Sequence, residues 1–112
     1  MSDEELVEAL KALGHPVRLR IMQALTVNER NVGEIDAAAN IGQPTLSQQL
    51  AVLRNAGLVK TRKEAKLVYY RIDESRLAEV SSAAKGLSGS APALVRNSRP
   101  SAPGVANFAK LS

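Results

Sequence analysis

The sequence predicts a mainly α-helical fold that contains one small β-hairpin. Three observations support this prediction. Apolar residues recur at helical spacing over most of residues 1–56, the spacing changes to alternation over residues 58–72, and capping and turn residues separate the segments. The chain has 112 residues, of which 45% are hydrophobic and 3% aromatic. This length and composition fit one domain with an aliphatic core, and they argue against an aromatic platform that stacks single-stranded bases.

Two helices are predicted at the start of the chain. Ser2 and Glu5 form a capping-box pattern, and leucines follow at helical spacing until Gly14, which ends the first helix. Pro16 suits the first turn of the second helix, where a missing N–H costs little. The single histidine, His15, lies between the two helices. We expect it to pack or to cap there, because no spacing in the sequence supplies partners for a metal site.

A second pair of helices follows a polar break. Asn31 and Glu34 repeat the capping pattern and predict a helix over Val32–Ala39. Asn and Gly within residues 40–42 tolerate left-handed backbone, so a three-residue turn is expected there. The fourth helix is predicted over residues 43–56, with a line of leucines facing the core.

A hairpin and a last helix complete the predicted domain. Residues 58–62 and 67–72 are rich in β-branched and aromatic residues, and a four-residue tip joins them. Asp73 can cap the final helix. Beyond it, Pro, Gly and Ser accumulate, which is typical of a flexible tail. The expected organisation is therefore a domain over residues 1–85 and a tail over residues 86–112.

Charge is distributed unevenly along the chain. The net charge is +4, but residues 1–42 carry −3 and residues 43–72 carry +5. A positive block of this density is typical of a surface that binds a polyanion such as DNA. On charge alone, a solvated charged surface is the alternative interpretation.

The third and fourth helices together predict a helix-turn-helix, and the basic hairpin that follows predicts a wing. Polar side chains near the start of the fourth helix can read base edges, and basic side chains can bind phosphates. The predicted base-reading residues are Gln43, Thr45, Ser47, Gln48 and Gln49. The predicted backbone and wing contacts are Arg54, Lys60, Arg62, Lys63 and Lys66. Taken alone, the polar residues could also be the solvated side of an amphipathic helix.

The composition excludes several other classes of protein. Without cysteine, the chain has no disulfide, thiolate nucleophile or thiolate metal site, and one histidine cannot form a cluster of imidazole ligands. No catalytic residue, metal or cofactor is predicted, and no Gly-rich phosphate loop follows a strand. No window approaches about 18 apolar residues, so we expect no membrane partner and a cytoplasmic location.

Several segments together resemble the ArsR/SmtB family of bacterial winged-helix repressors, and the similarity covers roughly residues 5–85. These segments are LKALGHPVRLRI over residues 10–21, VGEI over 32–35, QPTLSQQL over 43–50, LRNAGLV over 53–59 and TRKEAKLVYYR over 61–71. The resemblance implies a winged helix-turn-helix with about five helices and a two-stranded wing. It also implies a homodimer whose two recognition helices enter successive major grooves of an imperfect palindrome, and repression until an inducer weakens DNA binding.

In such a dimer the first and last helices pack across a two-fold axis. Both terminal helices of this chain carry an apolar line that is suited to this packing. The predicted interface residues are Leu6, Leu10, Leu13, Leu77, Val80 and Ala84.

The chain departs from the family at its switch positions. Many members bind metals through a Cys-x-Cys pair, where this chain has Asn31 and Gly33. The run GQPTLSQQL is most similar to the sulfur-sensing branch, whose disulfide cysteines would fall near Gln23 and near Gly89. Without a thiol that switch cannot operate, so no inducer is assigned. Ala65 stands where the wing turn usually has Gly, which could change the turn.

The predicted function is that of a sequence-specific regulator that binds double-stranded DNA, as a homodimeric repressor. The alternative from another class is a winged-helix adaptor that binds a partner protein, or a partner-controlled co-repressor with weak DNA binding.

Overall fold

The structure, a computed structural model, describes residues 1–89, so the predicted tail lies outside the described residues from residue 90 onward. The elements, in chain order, are α1 (Asp3–Leu13), α2 (Pro16–Leu25), β1 (Arg30–Asn31), α3 (Val32–Ala39), α4 (Thr45–Asn55), β2 (Val59–Glu64), β3 (Leu67–Ile72) and α5 (Glu74–Leu87). This order confirms the predicted winged helix-turn-helix. Helix α5 extends two residues into the predicted tail, and the domain boundary after residue 85 stays a prediction.

Both predicted capping boxes are confirmed. At the start of α1, the Glu5 N–H donates to Ser2 Oγ at 3.1 Å, and the Ser2 N–H donates to Glu5 Oε1 at 2.8 Å. At the start of α3, Asn31 and Glu34 exchange the same two bonds at 2.9 Å each. The Ser2 backbone N–H, which favours the carboxylate form, lowers the pKa of Glu5 below its usual range. These bonds satisfy N–H groups that helix starts otherwise leave without partners.

His15 caps α2. Its backbone is extended, and its Nδ1 accepts a hydrogen bond from the Val17 N–H at 3.2 Å, with Pro16 at the first helical position. The expected structural role of this histidine, between two helices, is therefore confirmed.

The core is aliphatic, as the composition predicts. Within Met1–Val80, which form one compact unit, all five helices contribute to it, and β2 closes one side. The buried side chains are Ala9, Ala12, Ile21, Met22, Leu25, Ile35, Leu46, Leu50, Leu53, Leu58, Val59 and Val80. Tyr70 and Ile72 of β3 pack partly buried against them. The core thus fixes α4 and the hairpin in one unit.

The sheet has three strands in the order β1-β3-β2, one more than predicted. Residues 28–31 were expected to form only a polar break, but Arg30 and Asn31 pair antiparallel with Tyr70 and Tyr69 of β3. Two residues are too few to show alternation. The pairing arises because the outer edge of β3 offers backbone groups that need partners.

Helix α4 begins at Thr45 rather than at Gln43, so the turn after α3 spans residues 40–44 instead of three residues. Gln43 precedes a proline, and the proline ring disfavours helical backbone at the residue before it. Pro44 takes the capping position. At the other end, Gly57 follows the helix with φ +78, a conformation that glycine adopts readily.

Candidate nucleic-acid interface

The turn between α3 and α4 has a fixed geometry. Asn40 has a left-handed backbone with φ +55, and its N–H donates to the Asp36 carbonyl at 2.7 Å. The Asp36 Oδ1 accepts from the Ile41 N–H at 3.1 Å and from the Gly42 N–H at 2.7 Å. One carboxylate therefore holds two successive N–H groups of the turn, which helps to fix the direction in which α4 leaves it.

Helix α4, the recognition helix of this motif, has one buried and one exposed side. Leu46, Leu50 and Leu53 are at most 1% exposed. Four of the five predicted base-reading residues lie outside this buried line, and all four are exposed: Gln43, Thr45, Ser47 and Gln48. The motif thus presents a polar surface at its N-terminal end, where recognition helices meet base edges.

Within this surface, Gln43 and Ser47 are paired and Gln48 is not. Gln43 Oε1 accepts from the Ser47 N–H at 3.3 Å and from Ser47 Oγ at 2.7 Å. Gln43 therefore supplies the first turn of α4 with an acceptor, although it lies outside the helix. The Gln48 side chain has no hydrogen-bond partner among residues 1–89, so its amide is available for a ligand.

Gln49, the fifth predicted base-reading residue, has a different environment. It is half-buried, and its Oε1 accepts from Arg18 Nη1 of α2 at 2.7 Å. The structure therefore separates Gln49 from the exposed group.

The wing presents three lysines: Lys60, Lys63 and Lys66. All are exposed, and none forms an ion pair within the described part of the chain. The β2–β3 register also places Lys60 opposite Arg71. Like charges at paired positions repel each other, so a phosphate near them would be favoured. The sequence prediction did not include Arg71, because only the register shows its position.

Arg62 differs from the wing lysines because carboxylates already surround it. Its guanidinium contacts Glu29 at 2.7 to 3.0 Å and Glu64 at 2.5 Å, and its Cζ lies 4.8 Å from the centre of the Tyr69 ring. These carboxylates raise the pKa of Arg62, and the hydrogen bond from Arg62 lowers the pKa of Glu29. Glu29 has a structural role that the sequence prediction missed, since its partner is 33 residues away.

The wing turn is shorter than predicted. Lys63 pairs with Val68 and Glu64 pairs with Leu67, so only Ala65 and Lys66 remain between the strands. Because the side chains at this tip are exposed, apolar and polar residues do not alternate there, and the sequence does not show that β2 extends to Glu64. Ala65 has φ +56, which confirms that the turn needs left-handed backbone at this residue.

The residues predicted for the dimer interface fall into two groups. Val80 is 5% exposed, and Leu6, Leu13 and Leu77 pack partly buried against the core. Leu10 is 43% exposed, and Ala84 is also exposed. Val7 of α1, which the prediction omitted, is 49% exposed. The apolar surface that α1 leaves open is therefore made by Val7 and Leu10.

No group of three or more His, Cys, Asp or Glu side chains in residues 1–89 could hold a metal ion. No helix in this part of the chain has the length and apolar character needed to cross a membrane.

Comparison with known proteins adds three findings. A family model described as bacterial regulatory protein, arsR family, matches residues 15–61. The chain is 47% identical over 76 residues to the biofilm growth-associated repressor of Xylella fastidiosa. These residues make up 68% of this chain and 67% of that protein. It is also similar to the crystal structure of the transcriptional repressor BigR from Xylella fastidiosa, with a TM-score of 0.62 and 44% identity. This match covers 75% of this chain and 86% of that one.

A further solved structure supports the same fold. The solution structure of the homodimeric winged helix-turn-helix DNA-binding domain of Mb0332 from Mycobacterium bovis matches with a TM-score of 0.64 and 29% identity. The match covers 80% of this chain and 88% of that one. On this fold, on these residues and on these similarities, the chain belongs to the arsR family of bacterial regulatory proteins, a family of DNA-binding transcriptional regulators.

Proposed function

We propose that this protein is a homodimeric repressor of transcription that acts in the cytoplasm and binds an imperfect palindrome in double-stranded DNA. The observation that carries the proposal is the exposed polar start of α4, together with a wing whose lysines form no ion pair within residues 1–89. Repression is supported by the names of two relatives, since the proteins from Xylella fastidiosa and Agrobacterium fabrum are both called biofilm growth-associated repressors.

Base readout is assigned to the exposed start of α4. Gln48 can form a bidentate contact with adenine, and Thr45 and the Ser47–Gln43 pair can donate to or accept from base edges. Within residues 1–89, Gln48 has no competing partner, so it is the residue whose loss should change base preference most.

Phosphate binding is assigned to the wing and to the end of α4. Lys60, Lys63 and Lys66 carry charges that no carboxylate in the described part of the chain neutralises, and Arg54 is exposed on α4. Arg62 can contribute less, because Glu29 and Glu64 hold its guanidinium while its side chain stays 43% exposed. Such contacts set orientation and affinity but carry no sequence information.

Dimerisation is assigned to the terminal helices. Leu10 and Ala84 are exposed members of the predicted set, and Val7 adds to the apolar surface of α1. The homodimeric state of the similar Mb0332 domain supports dimerisation of this chain. In such a dimer the two recognition helices should lie about 34–36 Å apart, which is one turn of DNA.

A titration with random duplex DNA tests the proposal against the adaptor alternative. The wild-type chain should bind at about 50 mM salt and lose affinity steeply as salt rises, because phosphate contacts release counterions. A Lys60→Ala, Lys63→Ala, Lys66→Ala variant should bind far more weakly at the same salt. Absence of binding by the wild-type chain at low salt would contradict the proposal and favour the adaptor.

A further inference from the structure

Arg18 joins three elements of the fold through one guanidinium. Its Nε donates to the Ala12 carbonyl at 2.7 Å, and its Nη2 donates to the Lys11 carbonyl at 3.3 Å. Its Nη1 donates to Gln49 Oε1 at 2.7 Å. Arg18 belongs to α2, the two carbonyls belong to the last turn of α1, and Gln49 belongs to α4.

The contact with α1 has a clear physical basis. The last four carbonyls of a helix have no partner within it, and the helix C-terminus favours a positive charge. In α1, the Leu10 and Leu13 carbonyls accept from Gly14 and His15. The two carbonyls between them are the ones that Arg18 binds. Arg18 is thus a side-chain cap of α1. Its two hydrogen bonds to α1 hold the guanidinium in place independently of its contact with Gln49.

The contact with α4 lies where the packing is open. An open groove of about 250 Å³ separates α1 from α4 beside Arg18, and Ala12, Val52 and Ala56 are among its lining residues. The hydrogen bond between Arg18 and Gln49 therefore links α4 to the end of α1 at a point where the packing is open, in addition to the core packing of the α4 leucines.

We propose that Arg18 and Gln49 form a positioning pair that fixes the recognition helix against the end of α1, and that Gln49 contacts no base. This inference rests on the proposed DNA binding. Arg18 acts on the recognition helix through Gln49, and Gln49 acts through the orientation of the exposed residues on the same helix. Loss of either partner should therefore affect every base contact of α4 together.

A double-mutant cycle on the full-length chain tests this pair. The variants are Arg18→Lys, which keeps the charge but not the forked geometry, Gln49→Met, which keeps the length but not the acceptor, and their combination. The readouts are affinity for the selected DNA site, affinity for random duplex, and base preference at each position of the half-site. Gln48→Met is the matched control, because it changes the neighbouring, exposed glutamine.

Each single variant should weaken specific binding about tenfold and leave random-duplex binding unchanged, and the double variant should lose no more than either single one. In the Arg18→Lys and Gln49→Met variants, base preference should weaken at all positions of the half-site. The Gln48→Met loss should instead fall on one or two base pairs and add to that of Arg18→Lys. Gln49→Glu, which keeps the acceptor for Arg18, should retain the wild-type preference profile.

Two results would overturn the positioning role. One is a loss of preference confined to a single base pair in Gln49→Met, and the other is an additive effect of Gln49→Met and Arg18→Lys. If the Arg18→Lys variant does not fold, the base-preference profiles of the Gln49→Met and Gln49→Glu variants are enough to test the positioning role. A wild-type chain that selects no DNA site would overturn the proposed function itself, and with it any role of this pair in DNA binding.

Discussion

The carboxylate of Glu29 is held by the guanidinium of Arg62 through three contacts of 2.7 to 3.0 Å. Glu29 directly precedes β1, and Arg62 lies in the middle of β2, so the pair connects the two outer strands of the sheet across β3. Because β1 leads directly into α3, this contact fixes the wing relative to the helix-turn-helix. The wing is therefore held by side chains at its base as well as by its own strand pairing.

This pair predicts a dependence of stability on pH. The hydrogen bond from Arg62 lowers the pKa of Glu29 in the folded state below its ordinary value of 4.5. The stabilisation is therefore fully present above pH 4.5 and is lost as the pH falls through the lower, folded-state pKa. Urea unfolding should show wild type more stable than Glu29→Gln between about pH 5 and 7, with the difference vanishing in more acidic buffer.

The matched control is the same substitution in an Arg62→Ala background, where Glu29→Gln should have no such pH-dependent effect. A stability difference between wild type and Glu29→Gln that persists unchanged to about pH 3 would show that the pair does not act through the ionised carboxylate.

The wing turn predicts a stabilising substitution. Ala65 has φ +56, a conformation that costs a residue with a Cβ roughly 1 kcal/mol and costs glycine nothing. Ala65→Gly should raise the free energy of unfolding by about 0.5 kcal/mol, because the greater freedom of glycine in the unfolded chain offsets part of the gain. Lys66→Gly, at the next turn residue, is the control and should not stabilise. Equal destabilisation by both would mean that the turn is not strained at Ala65.

The wing lysines predict a change in salt dependence. Lys63→Ala should reduce the slope of log affinity against log salt by about one, and by the same amount for every DNA sequence. Lys11→Ala is the control, because Lys11 lies 3.5 Å from Glu8 and its charge is already partnered on α1. If Lys63→Ala changed base preference and left the slope intact, Lys63 would be reading bases rather than binding a phosphate.

The exposed start of α4 predicts a change in specificity. Gln48→Ala should cost about 1–3 kcal/mol on the selected site and relax the preference there, with little effect on random duplex. Gln23→Ala, an exposed glutamine on α2, should leave both affinities unchanged. An equal loss on selected and random DNA would refute base readout by Gln48.

Local chemistry allowed much of this fold to be predicted from the sequence. Capping pairs such as Ser2 with Glu5 act within four residues, and the leucines of α4 repeat at the helical period, so both leave a visible pattern. The strand β1 left none, because two residues cannot show a period. Helix α4 starts two residues later than predicted, because Pro44 disfavours helical backbone at Gln43.

The candidate interface was predictable in type but not in its internal contacts. Exposed polar and basic residues could be assigned to α4 and to the wing, because their positions follow from the helical and strand periods. The partners of Arg18 and Arg62 could not, because Gln49 and Glu29 lie 31 and 33 residues away. An arginine that binds a phosphate and one that binds its own chain look alike in a sequence, and only tertiary structure separates them.

The most direct measurement is the selection of duplexes by the wild-type chain from a pool of random DNA, followed by sequencing of the bound fraction. Two-fold symmetric binding through α4 predicts an enriched motif with two related half-sites, centred about 10 base pairs apart. Recovery of DNA without any enriched sequence, at a salt concentration where the chain still binds, would contradict sequence-specific recognition by this protein.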